Sequence, residues 1–223
     1  MKKALINGAE GKMGRALIRL IGARPELGLQ AVARESGQPF PADFDIVIDF
    51  SSPQGAQEAF SAAKHKHKPF LTGTTNLPET FLFQLQQEEK IASFFAPNVS
   101  LSVYFFTELV RQAAKMYSGY DIKLHEIHHV HKKDAPSGTA KTLADAVNMP
   151  YEQVTYERLG ETVGTHIAAF DSPFDEITLA HKAVNRDLFA NSALEIAVWL
   201  MKRAGGFYTM SDYAKFKLKD KKK

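Results

Sequence analysis

The chain contains no cysteine. Disulfides and thiolate-ligated metal centres are therefore excluded, and a reducing, cytoplasmic setting is the expectation. Long apolar runs are absent too: none approaches the roughly 20 residues of a membrane-spanning helix. Met1-Lys2-Lys3 is followed by only a few apolar residues before Asn7-Gly8, which predicts no signal peptide. A strong charge of either sign is also missing. The formal net charge is +3, but residues 215–223 hold six lysines and one aspartate; with that +5 set aside, the rest of the chain carries −2. A mildly acidic body gives no support for nucleic-acid binding, and neither nucleic acid nor a membrane is an expected partner. The lysine-rich end reads as a solvated, frayed terminus. What remains is an ordinary globular composition, 44% hydrophobic and 24% charged. At 223 residues it suffices for one large domain or two small ones with a buried core.

Along the first hundred residues, short apolar runs alternate with helical patterns. Segments 4–7, 29–33, 45–50, 69–72 and 91–95 read as strands. Segments 13–23 and 79–90 read as helices, and Ser51 or Ser52 with Pro53 starts another. Strand and helix in alternation predict a parallel, Rossmann-like sheet with right-handed crossovers. The pattern changes after Pro97-Asn98. A helix over 101–116, strands over 122–127, 154–159, 166–170 and 176–181, and a helix near 139–147 predict a second, α+β domain on a mixed or antiparallel sheet. A last helix over 188–203 returns to the first domain. The expected boundaries are 1–98 plus 187–223 for a dinucleotide-binding domain, and 99–186 for a substrate-binding and oligomerisation domain.

The first strand runs into Gly8-Ala9-Glu10-Gly11-Lys12-Met13-Gly14, a G-x-x-G-x-x-G spacing that opens the first helix. Glycines let backbone N–H groups approach a pyrophosphate, and the helix start supplies partial positive charge. A purely structural glycine turn is the competing reading. About twenty residues beyond the last glycine, near the adenosine ribose, stands Arg34, followed by Glu35. An arginine there can accept a 2′-phosphate, which predicts that NADPH is used at least as well as NADH. The alternative is a surface arginine with Glu35 on the ribose. Gly73-Thr74-Thr75 and Ala96-Pro97-Asn98-Val99 follow later strands, where an open parallel sheet places its crevice. They are either nicotinamide loops or ordinary turns.

The most informative stretch is His125-Glu126-Ile127-His128-His129-Val130-His131-Lys132-Lys133-Asp134-Ala135-Pro136-Ser137-Gly138-Thr139-Ala140. It ends a strand, crosses a cationic loop and starts a helix at Ser137-Gly138-Thr139. Such a start, beside His129 and Lys132, suits a carboxylate. Adjacent His128 and His129 point to opposite faces of a strand, so one of them can face a cleft. Two other readings stay open. Four histidines in seven residues could ligate a metal, although the neighbouring lysines would repel a divalent cation. A histidine-rich surface loop with no ligand is the second.

This segment resembles the signature of the 4-hydroxy-tetrahydrodipicolinate reductase (dihydrodipicolinate reductase) family. G-A-E-G-K-M-G-R, D-F-S, G-T-T, A-P-N, R-L-G-E-T-V-G-T-H, H-K-A-V-N-R and G-F-Y-T-M-S-D resemble further blocks of that family, in order, over nearly the whole chain. The resemblance implies NADPH or NADH as cofactor and a cyclic imine dicarboxylate as substrate. Water is lost, hydride is added at the carbon that bore the hydroxyl, and a proton is delivered to the resulting enamine. It implies His128 as proton donor and acceptor, Lys132 as a second proton donor, and His129 as a substrate ligand. Ser137, Gly138 and Thr139 would hold a carboxylate. It also implies a cytoplasmic homotetramer in lysine and diaminopimelate biosynthesis, without a metal. The pattern departs from the family at Asn76, Val99, Ser192-Ala193 and Arg34, the last replacing a common acidic residue. Another Rossmann oxidoreductase acting on a carboxylated imine or carbonyl, and a non-catalytic NAD(P)-binding regulator, are the alternative functions.

Overall fold

The computed structural model describes residues 1–220. The chain divides into two compact units, one of residues 1–99 with the segment from Phe189 onward, the other of residues 100–188. The first unit begins with β1 (Lys2–Asn7), α1 (Lys12–Ala23), β2 (Leu29–Arg34), β3 (Ile46–Asp49), α2 (Pro53–His65), β4 (Phe70–Thr72), α3 (Glu79–Gln86) and β5 (Ala92–Phe95). Its strands pair in parallel. Ala4, Leu5, Ile6 and Ile46, Val47, Ile48 are fully buried, so β1 and β3 are covered on both faces. A parallel sheet with helical crossovers requires such continuous apolar strands.

The second unit holds α4 (Leu101–Met116), β6 (Asp121–His128), α5 (Gly138–Ala146), β7 (Thr155–Arg158), β8 (Gly164–Asp171) and β9 (Glu176–Ala183). The sheet order is β7-β6-β8-β9. β6 runs parallel to β7 and antiparallel to β8, which is antiparallel to β9, so the sheet is mixed. Phe106 and Val110 of α4 and Leu143 of α5 pack with Leu124, Ala168 and Phe170 of one sheet face. The other face alternates outward, with Ile127, Ile167 and Ala169 partly open.

The chain closes with α6 (Asp187–Leu200), β10 (Gly206–Tyr208) and α7 (Met210–Asp220). β10 adds to β5, giving a six-stranded order β10-β5-β4-β3-β1-β2. The expected α/β class, a Rossmann-like parallel sheet with a second α+β unit, is observed. The strand order reverses at β1, between β2 and β3. In such sheets the crevice beyond the strands' carboxyl ends at that point is where ligands sit.

The lysine-rich end departs from its reading as a frayed terminus. Residues 215–220 continue α7. Thr209 caps that helix, its N–H and hydroxyl donating to Asp212 Oδ2 at 2.9 and 2.8 Å. Tyr213 and Phe216 pack on Trp199 of α6 at 5.4 and 6.1 Å between ring centroids. Lys217 Nζ reaches Glu195 at 3.3 Å. The lysines mask an amphipathic helix whose aromatic stripe is spaced for packing. Lys221–Lys223 of that segment lie outside the described residues. Among the described residues, no helix is long and apolar enough to cross a membrane.

Candidate active site

The loop from Gly8 to Met13 lies over the carboxyl ends of β1 and β2. Gly8 has φ of +84°, and a Cβ there would stand 2.9 Å from the Phe50 carbonyl carbon. A Cβ on Gly14 would stand 2.6 Å from Ala9 Cα. Both glycines are thus demanded by the chain's own close packing, which then leaves the loop open to a ligand. The N–H groups of Gly8 and Ala9 both donate to the Arg34 carbonyl at 3.1 Å, and that of Gly11 to Gly8 O at 3.0 Å. Gly11 caps α1 without a side-chain hydrogen bond. The N–H groups of Gly8 and Ala9 are therefore already used within the chain, and the first turn of α1, from Lys12 and Met13, is where an α-helix leaves backbone donors without intrahelical partners. Glu10 is turned to β2's end, accepting from Ser36 N at 3.2 Å.

Next to this loop is a pocket of about 180 Å³, lined by Asn7, Gly8, Arg34, Ser36, Ser52 and Glu58 among others. Arg34 lines it from within. The residue is only 4% exposed. Its Nε donates to Gln38 O at 2.9 Å, one terminal nitrogen to Asn7 Oδ1, and the other to Glu58 Oε2 at 3.3 Å. Phe40 covers the guanidinium at 3.7 Å. Arg34 is thus at the expected place, with its guanidinium engaged by Gln38, Asn7 and Glu58 of the chain itself.

Asp49 ties the loops together. It is fully buried and accepts from Asn7 Nδ2 at 2.6 Å, from Ser51 Oγ, and from Thr72 and Thr74 Oγ1 at 2.7 Å each. Gly73 N donates to its carbonyl at 3.0 Å. Gly73 is pressed by Phe50, whose Cζ would lie 2.6 Å from an added Cβ. Thr74 is buried within this network, whereas Thr75 points outward. Ala96 and Val99 are buried, Pro97 is exposed and Asn98 half-buried; Ala96 N donates to Thr72 O at 3.2 Å.

The second cluster lies at the end of β6 in the other unit. Leu124, Glu126 and His128 share the buried face, as strand alternation requires. Glu126 is fully buried. Its Oε1 accepts from Ser137 N at 3.1 Å and Arg158 Nη2 at 3.3 Å. Its Oε2 lies 3.4 Å from His128 Nδ1 and 3.7 Å from His166 Nε2. Gly164 sits against the other edge of the His128 ring: a Cβ there would be 3.0 Å from Nε2. Burial depresses the His128 pKa, opposed by the Glu126 charge and reinforced by Lys132 and Arg158. Burial pushes His166 down to about 3, so it is neutral near pH 7.

Lys132 Nζ grips both oxygens of Asp134 at 2.8 and 2.9 Å. Although burial pushes the Asp134 carboxyl up, these bonds hold it below the usual carboxylate range. Arg158 fastens the loop, donating to Lys132 O at 3.3 Å and Asp134 O at 2.7 Å. Ser137 caps α5, accepting from Ala140 N at 3.2 Å, and its hydroxyl also meets His166 Nε2 at 3.2 Å. Ser137 is 3% exposed, so its polar groups serve the chain itself. Gly138 is exposed and Thr139 half-buried at the helix start; His129 is half-buried, outside the cluster. Burial lowers its pKa, with Arg186 adding in the same direction.

In the sequence, Arg158, Gly164 and His166 stand in the R-L-G-E-T-V-G-T-H block that resembles the family, without an assigned role, and Glu126 stands without one in the histidine segment. A signal for Glu126 exists in its i−2 spacing from His128; the other three depend on strand register. Glu126, His128 and His166 hold ligand-type atoms within 4.8 Å of one another, an arrangement that could receive a metal ion. Arg158 already supplies the carboxylate's counter-charge, which weakens that use.

Residues 2–99 match a family model described as dihydrodipicolinate reductase, N-terminus, and residues 102–213 one described as dihydrodipicolinate reductase, C-terminus. The chain is 40% identical over 232 residues to the 4-hydroxy-tetrahydrodipicolinate reductase of Xanthomonas euvesicatoria pv. vesicatoria, covering 94% of this chain and 96% of the relative. It is 34% identical over 239 residues to the enzyme of that name from Campylobacter jejuni subsp. doylei, covering 96% of each. Among solved structures it resembles a dipicolinate-bound dihydrodipicolinate reductase from Paenisporosarcina sp. TG-14. That match has a TM-score of 0.74 and 18% identity over 94% of this chain and 97% of the other, a likeness of fold.

Proposed function

The chain belongs to the dihydrodipicolinate reductase family, and we propose that it reduces 4-hydroxy-tetrahydrodipicolinate to tetrahydrodipicolinate with NADH or NADPH. This is a step of lysine and diaminopimelate biosynthesis. The observation that carries the site assignment is the His128–Glu126–Ser137 arrangement: one buried carboxylate lies beside the imidazole of β6 and also holds the backbone of the α5 start.

A nicotinamide dinucleotide, when bound, supplies the hydride. Lys12 and Met13 at the α1 start would hold its pyrophosphate, the Arg34–Glu58 pocket its adenosine, and Gly73, Thr74, Ala96 and Asn98 its nicotinamide. The pocket lined by Asn7, Gly8, Arg34 and Ser36 beside the α1 start fits such a group.

The chain's own residues manage the substrate and its protons. Gly138 and Thr139 hold a carboxylate at the α5 start, aided by the positive charge of Lys132 and by His129. Ser137 shapes that start through its cap rather than by direct contact. His128 keeps Nδ1 toward Glu126, which leaves Nε2 for proton exchange with substrate. Burial lowers the His128 pKa, and the Glu126 charge favours the protonated imidazole against it. Lys132, steadied by Asp134, supplies a second proton. The partly open face of the second sheet, with Ile127, Ile167 and Ala169, supports a homotetramer, and the family's biosynthetic role supports a cytoplasmic location.

The test is a coupled assay in which substrate is made enzymatically in the cuvette and nicotinamide absorbance is followed. Substrate-dependent oxidation supports the proposal. Cofactor binding without turnover would leave a nucleotide-binding regulator instead.

A further inference from the structure

We infer that Glu58, through its ion pair with Arg34, sets cofactor choice in this chain and selects a free ribose 2′-hydroxyl over a 2′-phosphate. The inference rests on the reductase reading only in placing a dinucleotide in this cleft. Arg34 ends β2 beside Asn7 of β1, where an adenosine ribose lies in this fold. An arginine there would ordinarily attract a phosphate. Here its charge is met from inside the chain: Glu58 Oε2 lies 3.3 Å away, Asn7 and Gln38 take further donors, and Phe40 covers one face.

The side chains of the pair differ in openness. Arg34 is 5% exposed, Glu58 44%. The accessible member is therefore the carboxylate. It lines the pocket with Ser36, Gly37 and Gln54. Gln54 Nε2 donates to Glu58 Oε1 at 3.0 Å, one turn away on α2, and keeps the carboxylate directed. A ribose hydroxyl can donate to such a carboxylate. A 2′-phosphate would meet a like charge and would have to displace it from a buried guanidinium. The acidic group expected on β2 is thus supplied from α2, with the two charges exchanged in position.

The experiment is direct binding, independent of turnover. NADH and NADPH are titrated by nucleotide fluorescence against the full chain and Glu58→Gln, and 5′-AMP and 2′,5′-ADP compete as fragments carrying only the adenosine end. The wild-type chain is expected to bind NADH and 5′-AMP about tenfold more tightly than their 2′-phosphorylated counterparts. Glu58→Gln keeps an acceptor for Gln54 but releases Arg34's charge, and should shift both ratios toward the phosphate by about tenfold. Glu58→Ser, with a similar shift expected, guards against a packing defect special to glutamine, and circular dichroism confirms the fold of each. A wild-type preference for NADPH, or ratios unchanged in both variants, would overturn the inference alone. Binding of neither nucleotide would overturn it together with the reductase reading.

Discussion

Lowering the pH from about 7.5 to about 5 should weaken the second unit, and His166 should carry a large part of the loss. His166 is 5% exposed, beside Glu126, His128 and Ser137, and burial holds its pKa at about 3 against an ordinary value of 6.5. The folded pKa is the lower one. Below about pH 6.5 the unfolded chain takes up a proton that the folded chain refuses, so stability is full above that pH and declines as pH falls toward about 3. With those two values, the loss at about pH 5 is about 2 kcal/mol, and the whole window is worth about 5 kcal/mol. His128, also depressed, adds a loss of the same sign, so the His166 share must be isolated by substitution. His166→Gln keeps a hydrogen-bonding partner for Ser137 and removes the titration. Because two units unfold in one chain, the readout should be local. Pulsed hydrogen exchange of β8 across a urea series, at each pH and with a common labelling pH, gives its opening free energy. The pH-dependent loss should be smaller in His166→Gln by about 2 kcal/mol. Equal losses in both proteins would refute the neutral, buried assignment.

Gly14→Ala should destabilise the first unit by about 1–3 kcal/mol or more, because the added Cβ would press on the backbone of Gly8 and Ala9, which cannot turn aside; thermal unfolding followed by Trp199 fluorescence checks it. His128→Gln and Lys132→Ala should each lower kcat by roughly 10² or more, and a near-wild-type rate for either would remove its proton-transfer role. Glu126→Gln retains an acceptor for Ser137 N–H but loses the charge that favours protonated His128. The descending limb of the pH–rate profile should therefore move to lower pH, whereas a purely structural defect would lower the rate without moving it. Arg158→Ala frees the carbonyls of Lys132 and Asp134 and should raise KM as well as lower kcat.

The fold was legible because its elements have simple periods. The continuous apolar runs Ala4–Ile6 of β1 and Ile46–Ile48 of β3 and the alternating β6 declare a sheet buried on both faces and one buried on a single face. The end of the chain was not, since six lysines hide the stripe of Tyr213 and Phe216 that binds α7 to Trp199. Within the site, His128, Lys132 and the Ser137 cap stand in one stretch and could be read directly. Arg158, Gly164 and His166 stand together in the R-L-G-E-T-V-G-T-H block, but they reach that stretch only through the pairing of β6 with β7 and β8. Arg34 illustrates the same limit: its place on β2 follows from glycine spacing, but its engagement by Glu58 depends on how α2 crosses the sheet.

If the chain transfers hydride to a cyclic imine dicarboxylate, a label on the cofactor must appear in the product. Nicotinamide cofactor deuterated at the transferring carbon is incubated with the enzyme and freshly generated 4-hydroxy-tetrahydrodipicolinate, and the product is analysed by mass spectrometry and NMR. One deuterium at the ring carbon that bore the hydroxyl, formed roughly 10²-fold more slowly with His128→Gln under single-turnover conditions, is the predicted result. Oxidation of the cofactor with no label in tetrahydrodipicolinate, or no consumption of that substrate, would contradict the assignment.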